Sequence, residues 1–485
     1  MELKSQNLMV TKKNDNKMNQ IIKYLFLGLL PILLLSCYKD NTSIGANQIT
    51  ELKISFPNVT GSEVNMEKNE PLTIDPVITQ DGADKPMTYE WQVNYEVYST
   101  DKKLVYPCSK LGKYFIRLKV SNEDGSAFKS FNLNVNSPYE EGLMVLGQNE
   151  QGDGTLAFMR KYSPAEIAAG KVESFVNNVF TLNNPGNKIG KNPTDIAKRL
   201  NQVFISSSGE GKIYYLNAKT FELEATISAS DYPDFKPVAM NVPDAGFRTA
   251  VILCEGGKIY NLALLENLIL SNVKYSQTVM MKTGFGFNLN DCFNYYWNPA
   301  TSQMLQYSSY YTTNSLQAFQ NQDLVDFFYD DASSIYVITK SRTTPTVYTK
   351  TVFSQYIQNN STKLLDIKEQ AVLNVIGGEP VLTPSSPIVV NAIFKKLIYA
   401  SGNKLYSWFY TGTSMPTTPF ATVDEGTITS VEQSVDGSLL YVGVYNPAAS
   451  GLKGNVYVFN MDNGNLIKKY TGVSDKPVKL FYKKK

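Results

Sequence analysis

Histidine is absent from all 485 residues. That absence excludes a Ser-His-Asp or Cys-His catalytic set, histidine-ligated zinc and a His-Glu-x-x-His protease helix. Cysteine is scarce: Cys37, Cys108, Cys254 and Cys292 are far apart and form no Cys-x-x-Cys pair. A redox or metal motif is therefore not expected, and the three beyond Cys37 read as small buried hydrophobes. Charge of one sign is also missing, since 46 Lys and Arg face 44 Asp and Glu for a net +2. Outside the N-terminal segment and Lys483-Lys484-Lys485 there is no basic block, so no nucleic-acid partner is expected. Neither Gly-x-x-x-x-Gly-Lys-Ser/Thr nor Gly-x-Gly-x-x-Gly occurs after a strand, and no cofactor, metal or catalytic set is expected. The expectation is a protein that is not an enzyme. Beyond the N-terminus no run approaches the ~20 apolar residues of a membrane span.

What is plentiful is aromatic. The chain has 31 Tyr and 24 Phe, with 43% hydrophobic and 19% charged residues. That composition is globular and favours strands over helices. The length allows two or more domains.

At the N-terminus Lys12, Lys13, Lys17 and Lys23 precede the apolar run 24–35, which ends Leu34-Leu35-Ser36-Cys37. A basic region followed by a short apolar region is a targeting signal, not a span. The ending resembles the lipobox of bacterial lipoproteins. The resemblance implies a signal peptide over 1–36, an acylated Cys37 and a polar linker over 37–47. Multiple acyl chains would tether the mature chain to a membrane. Tyr38 stands where an Asp would resemble an inner-membrane retention signal, so the resemblance points to the outer membrane. Lys39-Asp40 resembles the export signal of surface lipoproteins in Bacteroidota, which favours the cell surface over the periplasmic face.

Residues 48–138 carry short alternating runs separated by turns. Ile49 to Phe56, Leu72 to Ile78, Tyr89 to Val93, Gly112 to Val120 and Phe128 to Val135 read as strands of an immunoglobulin-like sandwich. Tyr89-x-Trp91 and Gly112-x-Tyr114-x-Ile116-x-Leu118-x-Val120, followed by Asn122-x-x-Gly125, resemble the PKD domain family. The Trp-Asp-Phe-Gly-Asp-Gly continuation of that family is missing. Trp91 is expected in the core, and the domain as a spacer or docking module.

From 139 to 485 one unit recurs: an apolar run, a glycine turn and a second β-branched or aromatic run. Gly211-Lys212-Ile213-Tyr214 returns as Gly257-Lys258-Ile259-Tyr260, Gly402-Asn403-Lys404-Leu405-Tyr406 and Gly454-Asn455-Val456-Tyr457. Each reads as a β-hairpin. Weaker copies extend the series to Leu156, Tyr214, Tyr260, Leu305, Tyr348, Tyr406 and Tyr457, spaced 43 to 58 residues apart. A recurrence of that period predicts a β-propeller of seven blades. No inner strand precedes Leu143, whereas Lys476-Pro477-Val478 near the C-terminus echoes Lys236-Pro237-Val238. The last strand is therefore expected to close the ring. The predicted fold class is all-β: a PKD-like sandwich, then a seven-bladed propeller.

The order of lipobox, divergent PKD-like sandwich and propeller-like region resembles the PKD-like lipoprotein family of Bacteroidota across essentially the whole chain. The resemblance implies an accessory surface lipoprotein of a nutrient uptake system, in the company of a TonB-dependent transporter and a SusD-like lipoprotein. It carries no functional residues. From the residues themselves, exposed aromatics suit a glycan or peptide. Trp297, Tyr310, Tyr311, Trp408 and Tyr410 are the candidate ligand-binding set, with packing between blades as the competing reading. Specificity is to be sought where the repeat breaks, in the long loops after Arg160 and Phe353. Asn149 to Gly154 reads as a hairpin turn rather than a calcium loop. Glu140-Glu141, Asp330-Asp331 and Asp424-Glu425 are adjacent carboxylates that a strand would point to opposite faces. Two other readings stay open: a polysaccharide hydrolase or lyase using Asp, Glu and Tyr, and a structural subunit of a transporter complex.

Overall fold

The computed structural model describes residues 49–485 apart from 230, 244–247, 275–278, 281–286, 289–290, 309–313, 317–318, 331–333, 355–365 and 377–381. Cys37 with the signal segment, Tyr310, Tyr311 and Asp331 lie outside the described residues. The chain is nearly all-β, 56% strand and 4% helix. It divides into two compact units, Met1–Val135 and Asn136–Lys485.

In the first unit a five-stranded antiparallel sheet runs Glu63–Glu67, Gly125–Asn136, Gly112–Asn122, Thr88–Val93 and Glu96–Ser99. Two strand pairs, Glu51–Ser55 with Val77–Asp81 and Leu72–Ile74 with Leu104–Tyr106, complete it. The alternation along Gly112–Asn122 puts Ile116, Leu118 and Val120 inside and Lys113, Arg117 and Lys119 outside. Trp91 is fully buried among them, stacked on Phe56 at 5.6 Å, and its indole N–H donates to the Lys102 carbonyl at 3.1 Å. A buried indole needs such an acceptor.

The described residues of the second unit form seven antiparallel sheets in chain order. The second is typical: Pro193–Arg199, Gln202–Ser207, Lys212–Asn217 and Leu223–Ser228. The first is different. Its strands Gly142–Gln148 and Asp153–Arg160 lack a preceding partner, and Lys476–Lys483 pairs with Gly142–Gln148 from the far end of the chain.

Middle strands are covered by sheets on both faces, so their apolar residues run continuously instead of alternating. Leu143 to Leu146, Val203 to Ile205 and Leu440 to Val442 are fully buried or nearly so. The cores lie between consecutive sheets. Phe204, Ile213, Ile252 and Tyr260 join the second and third sheets. Ile398, Leu405, Val442 and Tyr457 join the sixth and seventh. Leu143, Val145, Val456, Val458 and Leu480 join the seventh to the first, so the closing interface is as apolar as the others. Each such side chain withdrawn from water contributes about 1.5–3 kcal/mol.

The insertion after Arg160 contains two short helices, Pro164–Ala168 and Val179–Asn183. The first begins with a reciprocal capping box between Ser163 and Glu166, which offsets its lack of any buried residue.

Candidate functional site

Five sheets share one irregularity in their first strand. The ladder skips Thr194 in the second sheet, Val238 in the third, Val325 in the fifth, Thr429 in the seventh and Val478 in the first. A bulge of this kind re-aims the residue after it. Those residues are Asp195, Ala239, Asp326, Ser430 and Lys479.

Their side chains solve a shared problem. A first strand is an edge strand, and its outward N–H groups have no ladder partner. The neighbouring sheet supplies one. Asp195 accepts the Met240 N–H of the third sheet at 2.9 Å and its own strand's Ile196 N–H at 3.0 Å. Ser430 accepts the Leu480 N–H of the first sheet at 2.9 Å. Lys479 of the first sheet lies 3.4 Å from Asp195 of the second. Gln433 donates to the Val390 carbonyl at 2.9 Å, and Thr194 to the Pro237 carbonyl at 2.9 Å. The first strands are thus tied sideways in a belt.

Inside that belt lies a channel of about 840 Å³. Among the described residues it is lined by segments 194–198, 238–242, 388–393 and 431–433, with Tyr329, Lys479, Phe481 and Lys484. Two carboxylates, Asp195 and Glu432, face three lysines, Lys198, Lys479 and Lys484. The carboxylates are engaged: Asp195 as described, and Glu432 by the Gln433 N–H at 2.9 Å. Burial pushes the Glu432 carboxyl up, against the pull of Lys479 and Lys484. The Asp195 carboxylate pushes the Lys479 ammonium up. Among the described residues Lys198 and Lys484 have no ion-pair partner. Behind them Lys483 is buried, donating to the Tyr139 and Glu140 carbonyls at 2.5 and 2.7 Å. Burial, and then the nearby Lys198, lower its ammonium to about 8.

The aromatic candidates are not brought together. Trp297 is 2% exposed, packed with Phe319, Phe327 and Phe353. Trp408 and Tyr410 are 1% and 0% exposed, packed with Phe328 and Tyr336 between the fifth and sixth sheets. All three rings are taken up in inter-sheet packing, the competing reading given above. At least one carboxylate of each pair is also occupied. Glu141 accepts from the Tyr482 hydroxyl, Asp330 from the Ser334 N–H, and Asp424 with Glu425 holds Lys469. Asn149 shapes a hairpin turn by accepting the Gln151 and Asp153 N–H groups. Cys108 and Cys254 are buried and unbridged, and burial pushes the Cys254 thiol up to about 12. Among the described residues no three His, Cys, Asp or Glu side chains are grouped for a metal ion, and no helix is long and apolar enough to cross a membrane.

The channel lysines were not singled out from the sequence, although a signal exists. Asn192-Pro193-Thr194, Lys236-Pro237-Val238 and Lys476-Pro477-Val478 each open a first strand, with the bulge on the residue after proline. Proline suits a strand's first residue, where no ladder donor is needed.

No sequence family matches the chain, and no curated protein does. Solved structures do. A quinoprotein alcohol dehydrogenase-like protein from Bacteroides thetaiotaomicron is similar at 15% identity and a TM-score of 0.51, over 88% of this chain and 99% of that one. The β-propeller domain of Cps50 (Swd1) from Myceliophteria thermophila is similar at 9% identity and a TM-score of 0.42, over 59% and 89%. A functionally unknown protein from Desulfotomaculum acetoxidans is similar at 9% identity and a TM-score of 0.46, over 71% and 99%. Seven sheets in chain order, the first completed by the C-terminal strand, make the fold a β-propeller. At these identities the likeness concerns the fold alone.

Proposed function

We propose that this chain is a lipid-anchored outer-membrane lipoprotein, displayed at the cell surface, whose seven-bladed propeller binds a ligand carrying acidic groups in its central channel. The first unit is then a divergent PKD-like, immunoglobulin-like domain between the acylated Cys37 and the propeller. One observation carries the ligand class: Lys198 and Lys484 line the channel with no ion-pair partner among the described residues, while Asp195 and Glu432 already accept backbone N–H groups. Ammoniums gathered on the wall of a cleft attract anions. The same engagement of the carboxylates favours binding over hydrolysis. General acid–base work needs a carboxyl free to exchange its proton with substrate. Glycan or peptide fragments bearing carboxylates fit this site, and so does an accessory role in nutrient uptake beside a TonB-dependent transporter and a SusD-like lipoprotein.

The test is calorimetric titration of the mature chain with galacturonic acid and with citrate. Saturable binding is expected, weakened at least about tenfold in the Lys198→Gln/Lys484→Gln variant, which corresponds to ~1.4 kcal/mol. Absence of binding, or binding indifferent to the two lysines, would remove the channel from consideration. Metabolic labelling with a palmitate analogue, lost in Cys37→Ala, tests the anchor separately.

A further inference from the structure

A second cavity, of about 220 Å³, lies at the seam where the seventh sheet meets the first. The hairpin of the first sheet contributes Thr155, the insertion after Arg160 contributes Asn177 and Asn178, and the seventh sheet contributes Leu452, Ser474 and Asp475. It is separate from the channel and shares no residue with it.

Three polar atoms on its walls are shielded from solvent and have no hydrogen-bond partner: Thr155 Oγ1, Asn177 Oδ1 and Ser474 Oγ. Each such atom costs about 1–3 kcal/mol if left unsatisfied, and native proteins rarely leave them so. Ser474 is only 4% exposed. The two hydroxyls stand together: a Cβ added to Gly147 would lie 2.7 Å from Thr155 Oγ1 and 3.1 Å from Ser474 Oγ. Asn177 is held in place from its other end, since its Nδ2 donates to the Gly472 carbonyl at 3.1 Å. Asp475 adds a carboxylate with no hydrogen bond of its own, pushed up by burial and by Glu150.

The ligand class follows from what lines the cavity. Among the described residues no lysine or arginine is on its wall, and the Asp475 carboxylate disfavours an anion there. Amides, hydroxyls and one carboxylate suit a ligand rich in hydroxyl groups. Leu156, Leu452 and Val473 add the apolar surface that the C–H face of a ring requires. The volume equals that of about seven waters at ~30 Å³ each, room for one six-membered ring but far more than a bare cation needs. We propose that the seam cavity binds one pyranose residue of a neutral saccharide. Asp475 accepts from its hydroxyl groups, while the shielded Thr155 and Ser474 hydroxyls and the Asn177 amide oxygen reach it by side-chain rotation. The insertion after Arg160 then serves recognition, by bringing Asn177 and Asn178 to the seam.

Saturation-transfer NMR and calorimetry of the mature chain with glucose, galactose, mannose and N-acetylglucosamine test this. Saturable binding of at least one is expected, in the millimolar range typical of so few contacts. Asn177→Ala and Asp475→Asn should each weaken it about tenfold or more, ~1.4 kcal/mol. Leu452, 38% exposed, makes a second kind of variant: Leu452→Trp fills the mouth without removing a hydrogen bond and should abolish binding with the melting point unchanged. The Lys198→Gln/Lys484→Gln chain should bind as the wild type does, so failure of the channel reading leaves this one standing. No saturable binding of any of the four sugars would overturn the proposal. So would binding that survives all three seam variants, or calcium chloride titrating the same residues in place of sugar.

Discussion

Lys350 is fully buried in the third strand of the fifth sheet, yet its ammonium reaches the sixth. It donates to three consecutive carbonyls, those of Tyr410 at 3.1 Å, Thr411 at 3.3 Å and Gly412 at 3.1 Å. It also pairs with Glu369 at 2.9 Å. Replacing it by methionine keeps most of the volume and removes the charge. Charge-assisted bonds are worth about 1.5–3 kcal/mol each, and an orphaned buried carbonyl costs about 1–3. The loss is smaller than the sum. Thr411 and Gly412 are exposed, so water replaces the lysine there. Glu369 is 46% exposed and so largely screened. A net loss of about 2–4 kcal/mol remains, chiefly from the Tyr410 carbonyl and the lost tie between sheets. In a domain this large, roughly 2 °C per kcal/mol gives a fall in melting point of about 4–8 °C. Calorimetry of Lys350→Met beside Glu369→Gln reads it, the second variant costing under about 1 kcal/mol. Equal losses in the two would refute the reasoning, because the ion pair and not the carbonyl cluster would then be the tie. A Lys350→Met change below about 1 °C would refute it outright.

Other outcomes follow from the same geometry. Ser430→Ala and Asp195→Ala each remove an acceptor from a first-strand N–H at the channel, and each should cost about 1–3 kcal/mol in chemical denaturation. Gly454→Ala should be severe, since its Cβ would meet Ser474 Oγ at 2.6 Å and Pro477 Cδ at 2.7 Å; adding Ser474→Gly should recover part of the loss in a denaturation midpoint. Lys483 titrates in the folded chain at about 8, below its ordinary 10.5. Between those values the unfolded chain holds the proton that the folded one has released, so stability rises with pH across that window and falls as pH drops through the folded value. The wild type should therefore gain on Lys483→Met from pH 8 to 10.5 in paired denaturation curves.

The recurring hairpin made much of the second unit legible. Its seven marker residues fall in the third strands of seven different sheets, and six of them, Leu156, Tyr214, Tyr260, Tyr348, Tyr406 and Tyr457, are buried between packed sheets. Packing is half of the reason for the tyrosines. Tyr214, Tyr260 and Tyr457 also donate their hydroxyls to loop carboxylates, Glu210, Asp234 and Asp424. The phenol keeps its ring in the core and its oxygen at the rim, which phenylalanine cannot do. The same demand made Trp297 and Trp408 poor guides to a site. A large ring close to a strand end looks alike in sequence whether it faces a neighbour sheet or water.

The groups that line the channel were hard to read for a different reason. A first strand has one flank in the ladder and one on the channel, so burial imposes no alternation, and its polar residues follow hydrogen-bond supply instead. Asp195 and Ser430 stand at equivalent places after a bulge and do the same work with different chemistry. At that place Lys479 does something else, pairing with Asp195 while leaving the Leu480 N–H to Ser430. Position is shared and residue type is free. A repeat search keyed to residue identity therefore passes over the belt, whereas one keyed to proline, skipped residue and re-aimed side chain finds it. Once Asp195 and Glu432 have accepted backbone N–H groups, the charge left over on the described wall is that of Lys198 and Lys484, and the acidic ligand proposed for the channel rests on that remainder rather than on the count of charged residues there.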